Sequence, residues 1–178
     1  MRRLFLLIPL ALSLIACGGA GHEGTVTYSV RLKPSNVTGS TIANDLRVEP
    51  GDVQWTAFLN QARETLGEAA TRFEVTGARM QLDVTQSKNV GTLQDVLTGE
   101  TTAYLRSSET GTQVDIASVE EPRGSAQVDM DTTGNSLETL ENNLAKGDFR
   151  LGLRGNTTRS ASSDFEATIT LTLDVTAR

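Results

Sequence analysis

Cysteine and histidine each occur once in the 178 residues, as Cys17 and His22. A lone thiol leaves no partner for an internal disulfide, and no Cys/His set can be assembled for zinc or an iron–sulfur cluster. A catalytic base must be oriented by a third group, whereas His22 lies in a Gly-rich stretch that suits a solvated linker, so histidine-dependent catalysis is not expected. Aromatic residues make up only 4%, with one Trp and two Tyr. That is too few for the stacking platforms of a sugar-binding cleft or for the two aromatic girdles of a membrane barrel. Basic residues are outnumbered by acidic ones, 16 to 22, and no basic run is interleaved with aromatics. Phosphate backbones are therefore repelled, and no nucleic-acid partner is expected. Long apolar runs are missing too. The longest, Leu4 to Ala16, contains Pro9 and Ser13 and falls short of the roughly 20 apolar residues a membrane-spanning helix needs.

What that run does have is a basic start at Arg2 and Arg3 and a small residue, Ala16, at its end. This is the pattern of an exported chain's signal peptide. The tetrapeptide Leu14-Ile15-Ala16-Cys17 resembles the lipobox of bacterial lipoproteins, a resemblance confined to the targeting segment. It implies cleavage between Ala16 and Cys17, a thioether-linked diacylglycerol on Cys17, and an amide-linked acyl chain such as palmitate on the new N-terminus. The next residue is Gly18 rather than aspartate, which by the same resemblance favours the outer membrane, with the domain on its periplasmic side. Two acyl chains anchor stably where one is marginal, because each buried methylene contributes about 0.8 kcal/mol. Loss of residues 1–16 would leave 14 basic against 22 acidic residues, a net charge of −8, so the lipid and not the protein surface must supply membrane affinity.

Three segments follow: a signal peptide over 1–16, a lipidated flexible tether over 17–24, and one domain over 25–178. Fully extended, Gly18 to Gly24 reach about 25 Å, which keeps the domain near the bilayer. The plainest pattern in that domain is its end, where Phe165, Ala167, Ile169, Leu171, Leu173 and Val175 alternate with polar residues. Period two with one apolar face predicts a long strand buried on one side. Val26, Tyr28, Val30 and Leu32 repeat it, as do Phe149, Leu151 and Leu153, the latter expected to form a hairpin with the final strand. Between Phe73 and Val84 the apolar phase slips at Gly77, which predicts a bulge. Further strands are expected over 102–106, 113–119 and 126–130, with a turn at Thr110 and Gly111.

Two amphipathic helices interrupt the strands. The first follows Pro50-Gly51 with Asp52 as cap, placing Trp55, Phe58, Leu59, Ala62 and Leu66 on one face before Gly67. The second is expected over Ser136 to Lys146, with Leu137, Leu140 and Leu144 inward, Asn135 and Glu138 spaced as a capping box, and Gly147 as stop. A short turn is expected around Leu93 to Leu97. The fold class is mainly β, with α+β as the variant: an antiparallel β-sandwich of about seven or eight strands carrying helices in its connections.

The nearest approach to a metal motif is Asp129-Met130-Asp131-Thr132-Thr133-Gly134, which spaces two carboxylates and a glycine like the start of a calcium loop. The residue where a bidentate glutamate is required is Leu140, and Glu141 comes one place late. No metal or cofactor is expected. Glu120 and Glu121 are adjacent, so on an extended chain they point to opposite sides and do not pair as acid and base. The function expected is a non-catalytic interaction or structural module that binds another envelope protein by strand addition or side-chain contact. The alternative is a carrier of a small apolar ligand, and an enzyme comes third. A dry cavity lined by Phe58, Leu59, Met80 and Leu82 would mark a carrier, and a filled core an interaction module.

Overall fold

The alternation near the C-terminus becomes a strand over Ala167–Ala177, with Ile169, Leu171, Leu173 and Val175 buried. It lies in a mainly antiparallel sheet of nine strands, seen in a computed structural model that describes residues 21–178. In chain order these are β1 (His22–Leu32), β2 (Val37–Thr38), β3 (Thr41–Val48), β4 (Phe73–Leu82), β5 (Thr98–Ser107), β6 (Gln113–Glu120), β7 (Val128–Thr132), β8 (Phe149–Asn156) and β9 (Ala167–Ala177). Their lateral order is β1-β9-β4-β7-β6-β5-β8-β3-β2. The sheet curls, and β7 carries it round the bend: Val128 to Met130 pair with β4, while Asp131 and Thr132 pair with β6. One hydrophobic cluster fills the interior, with Val30, Met80 and Leu171 from one half and Ile42, Leu105 and Leu151 from the other.

Two pairings differ from expectation. The segment Thr41–Val48 is a strand that the apolar pattern did not announce, because Asn44 occupies an inward slot and donates its amide to the carbonyl of Arg31 at 2.6 Å. The expected hairpin between the Phe149 and Phe165 segments is absent: β8 pairs with β3 and β5, and β9 with β1 and β4. Residues 157–166 instead carry the chain to the opposite half of the sheet. Arg159 ties this crossing down, donating to the carbonyls of Asp95 at 2.6 Å and Asn89 at 3.1 Å.

The tether is shorter than the sequence suggested. His22 to Gly24 belong to β1, paired with Ala177 to Val175. The His22 ring stacks 5.5 Å from Phe58, with Nδ1 3.1 Å from the Thr65 hydroxyl. Gly24 is there for packing, since a Cβ would sit 2.7 Å from the Phe58 ring. Strand β1 therefore starts at His22, and only Gly18 to Gly21 separate it in sequence from Cys17, a reach of roughly 14 Å. Ala16 and Cys17 lie outside the described residues.

Helix α1 (Val53–Leu66) forms as its sequence dictates. Asp52 accepts the Trp55 N–H at 3.0 Å, and Gly67 ends the helix in the left-handed region at φ 77°. It lies along β1, where Gln54 accepts the Thr27 N–H at 2.9 Å and Asp52 accepts the Tyr28 hydroxyl at 2.8 Å. Burial, then the hydrogen bond to Asp52, pushes the Tyr28 phenol far above its usual range.

The second helix is shorter than expected. A 3-10 turn over Glu138–Leu140 leads into α2 (Glu141–Lys146), with Gly147 left-handed at φ 68°. Leu137, Leu140 and Leu144 are buried as expected, but the capping box does not form. Asn135 turns away to donate to the Asp115 carbonyl at 3.0 Å, and Ser136 accepts the Glu138 N–H at 3.3 Å.

The bulge falls between Val75 and Gly77. A Cβ at Gly77 would lie 2.6 Å from the Asp174 carboxylate. That carboxylate takes both bonds of Arg79 at 2.7 and 2.8 Å and the Thr25 hydroxyl at 2.8 Å.

A 3-10 turn over Leu93–Asp95 gives a pH prediction. Asp95 accepts the N–H groups of Gly91 and Thr92, each at 2.9 Å, and the Gly91 bond does most to hold its carboxyl below the usual range. A lowered folded-state value stabilises the fold above the ordinary aspartate value of about 4. That stability is lost as pH falls through the folded-state value. Asp95→Asn should therefore shrink the drop in stability below about pH 4, as read by urea midpoints across pH. Parallel curves for the two proteins would contradict it.

Candidate interaction surface

Between Tyr28, Trp55, Phe73, Leu144, Phe149 and Leu173 the core holds an apolar gap of about 10 Å³. That is about one water-sized sphere. Phe58, Leu59, Met80 and Leu82 do not line it; Phe58, Met80 and Leu82 are themselves buried core residues.

The outer face of the β3-β8-β5-β6 half carries a charged aromatic cluster. Tyr104 lies over Gly152, where a Cβ would come within 2.4 Å of the ring and 2.8 Å of the Asn44 carbonyl. The nearly buried Asp45 carboxylate holds Arg150 at 2.7 Å on one oxygen and Arg106 at 2.6 Å on the other. Arg154 stands 6.0 Å from the Tyr104 ring and pairs with Asp115 at 2.6 Å. Burial, then the Asp45 charge, raises the Tyr104 phenol above its ordinary value. Arg47, Arg150 and Arg106 face one another across neighbouring strands, an arrangement of like charges that is tolerable because Asp45 and Asp148 lie among them. Each of these arginines already has a carboxylate partner inside the patch, so the cluster stiffens the sheet and holds no free charge for a ligand. Gly152→Ala should cost about 1–3 kcal/mol in chemical denaturation, because the new methyl meets backbone as well as ring. An unchanged midpoint would show that Tyr104 can move aside.

The sheet's margins differ in how they are closed. At the β1 margin, α1 and Gln54 cover Thr27, while Asn44 takes the Arg31 carbonyl. At the other margin, β2 is two residues long and pairs only with Thr41 and Ile42 of β3. A strand that short offers an added strand little to pair with.

The flank of β4 below the bend is open. β7 meets β4 only over Ala78 to Met80. Arg72 and Arg178 exchange both N–H···O bonds at 2.9 Å, so antiparallel alternation turns the N–H and C=O groups of Phe73 and Val75 away from β9, toward the side that has no strand. Two grooves run along this flank. One, of about 220 Å³, is lined by Arg72, Phe73, Glu74, Leu137, Glu141 and Arg178; the other, of about 300 Å³, by Thr76, Arg79, Asp129, Asp131 and Asp174.

The residues singled out from the sequence fall as follows. Asp129 and Asp131 sit two apart on β7, exposed on its outer side with Met130 buried between them, so the segment is a strand and not a calcium loop. Among the described residues, no three His, Cys, Asp or Glu side chains converge as a metal site. Glu121 is set apart from Glu120 by its positive φ of 47° and accepts the Gly99 N–H at 3.2 Å. His22 is part of a strand and not of a linker. The open flank of β4 was not foreseen; the phase slip at Gly77, already visible in the sequence, marks where pairing breaks.

The described residues thus form an antiparallel, mainly β domain in which the flank of β4 over Phe73 to Thr76 has no neighbouring strand. No protein-family model matches the chain, and no curated protein matches its sequence. Three solved structures with partial similarity come from viruses. The decameric BFDV capsid protein aligns at TM-score 0.41 and 15% identity, over 89% of this chain and all of that one. The extra small virus particle of the giant freshwater prawn Macrobrachium rosenbergii aligns at 0.21 and 12%, over 98% and 90%. Desmodium yellow mottle tymovirus aligns at 0.25 and 6%, over 99% and 94%. Scores this low do not establish a shared fold. No described helix is long and apolar enough to cross a membrane.

Proposed function

We propose that the protein is a lipid-anchored envelope lipoprotein acting as a non-catalytic interaction module, held by Cys17 and binding another envelope protein. The observation that carries this reading is the filled interior: a gap of about 10 Å³ has no room for an apolar cargo. The lipobox resemblance at Leu14 to Cys17 supports the anchor, and Gly18 supports the outer membrane. The short connection to His22 keeps the domain close to that surface.

The test is affinity capture of the lipidated protein from solubilised envelopes, followed by protein and small-molecule mass spectrometry. Recovery of a stoichiometric protein partner is the expected result. Recovery of an apolar small molecule alone, apart from the protein's own acyl chains, would favour the carrier instead.

A further inference from the structure

We propose that the free flank of β4, over Phe73 to Thr76, is a strand-addition site for a short, extended, basic segment of a partner protein; this rests on the interaction-module reading. Backbone groups give such pairing its affinity, and side chains set its specificity. Here the outward N–H and C=O groups of Phe73 and Val75 supply the first, since no strand lies beside them. The reach is short because β7 takes over at Ala78.

Charge chooses the occupant. Around the two grooves, Arg79 is already bound to Asp174 and Arg178 to Glu74. Among the described residues, Asp129, Asp131 and Glu141 have no ion-pair partner and neither has Arg72, so three free carboxylates against one free guanidinium leave a surplus of two negative charges. An added strand alternates its side chains between faces, so lysine or arginine at every second position would lie beside Asp129 and Asp131 on the outer face. A second copy of this chain is a poor occupant, because it would bring the same carboxylates against these.

The experiment uses the detergent-solubilised mature protein and two capped hexapeptides, one alternating lysine with valine and the other glutamate with valine. The lysine peptide should bind saturably and slow hydrogen exchange at the Phe73 and Val75 amides by about tenfold or more, the scale of one added hydrogen bond. The glutamate peptide should bind about tenfold more weakly, as should the lysine peptide to an Asp129→Asn, Asp131→Asn double variant. That variant changes only exposed side chains, so its unfolding midpoint should not move. Equal binding of both peptides, or unchanged exchange at Phe73 and Val75 under saturating peptide, overturns the proposal. So does protection of those amides in the free protein together with a dimer in sedimentation, which would mean that a second copy fills the flank. These readings come from the purified protein alone, so they fail or hold separately from the envelope capture.

Discussion

Truncating Trp55 to alanine should remove about 3–5 kcal/mol of stability, the range for emptying a large aromatic site in a well-packed core. Trp55 is the chain's only tryptophan and is 3% exposed. It joins helix to sheet: its ring meets Phe149 edge-on at 4.8 Å and lies 5.1 Å from Phe58 and 6.0 Å from Phe73. Its indole N–H donates to the Leu144 carbonyl at 2.7 Å, the bond that pins the end of α2 under α1. Alanine would open a cavity and leave the Leu144 carbonyl with only the Gly147 N–H, at 3.0 Å, as its donor. Because a small domain's net stability is only about 5–15 kcal/mol, one such change uses up a large share. Trp55→Phe keeps most of the ring and loses the donor, so it should cost less, about 1–3 kcal/mol. Urea unfolding followed by circular dichroism reads both variants, as the fluorophore itself is gone. A loss under about 1 kcal/mol for alanine would mean that the helix contributes little to the fold.

Replacing Cys17 by alanine should move the protein from the membrane fraction to the soluble fraction almost completely. Two acyl chains, each methylene contributing about 0.8 kcal/mol, would make the proposed anchor effectively permanent, and removing the thiol would remove the attachment point for lipid. The net charge of −8 for residues 17–178 opposes binding to anionic headgroups, and the only large hydrophobic residues that are well exposed among those described are Val53 and Val84. The fold should not suffer, because β1 begins five positions further on, at His22. The released form should therefore show the same circular dichroism and urea midpoint as the native domain. Retention of the variant on membranes in high salt would contradict the proposed anchoring.

Features set by local periodicity were legible in the sequence. Helix α1, with its Asp52 cap and Gly67 stop, needs only residues within a few turns of one another, and so does the alternation of β9. The bulge at Gly77 showed as a slip in apolar phase, though not its reason, which is the Asp174 carboxylate against a missing Cβ. What stayed hidden depends on partners far along the chain. His22 and Gly24 resembled a linker because their pairing partners, Ala177 and Val175, lie at the opposite terminus. β3 was masked by Asn44, a polar residue whose use is to close the margin against Arg31. The false hairpin had the same origin: alternation says that a strand exists and which face is buried, but not which strand it joins. The open flank of β4 is also a consequence of topology, created where β7 leaves for β6.

The most direct test is the intact mass of the protein purified from native envelopes. A chain beginning at Cys17 and bearing a diacylglycerol together with an amide-linked acyl group is the predicted result. A polypeptide that still begins at Met1, or one with an unmodified thiol at Cys17, would contradict the lipid-anchored account.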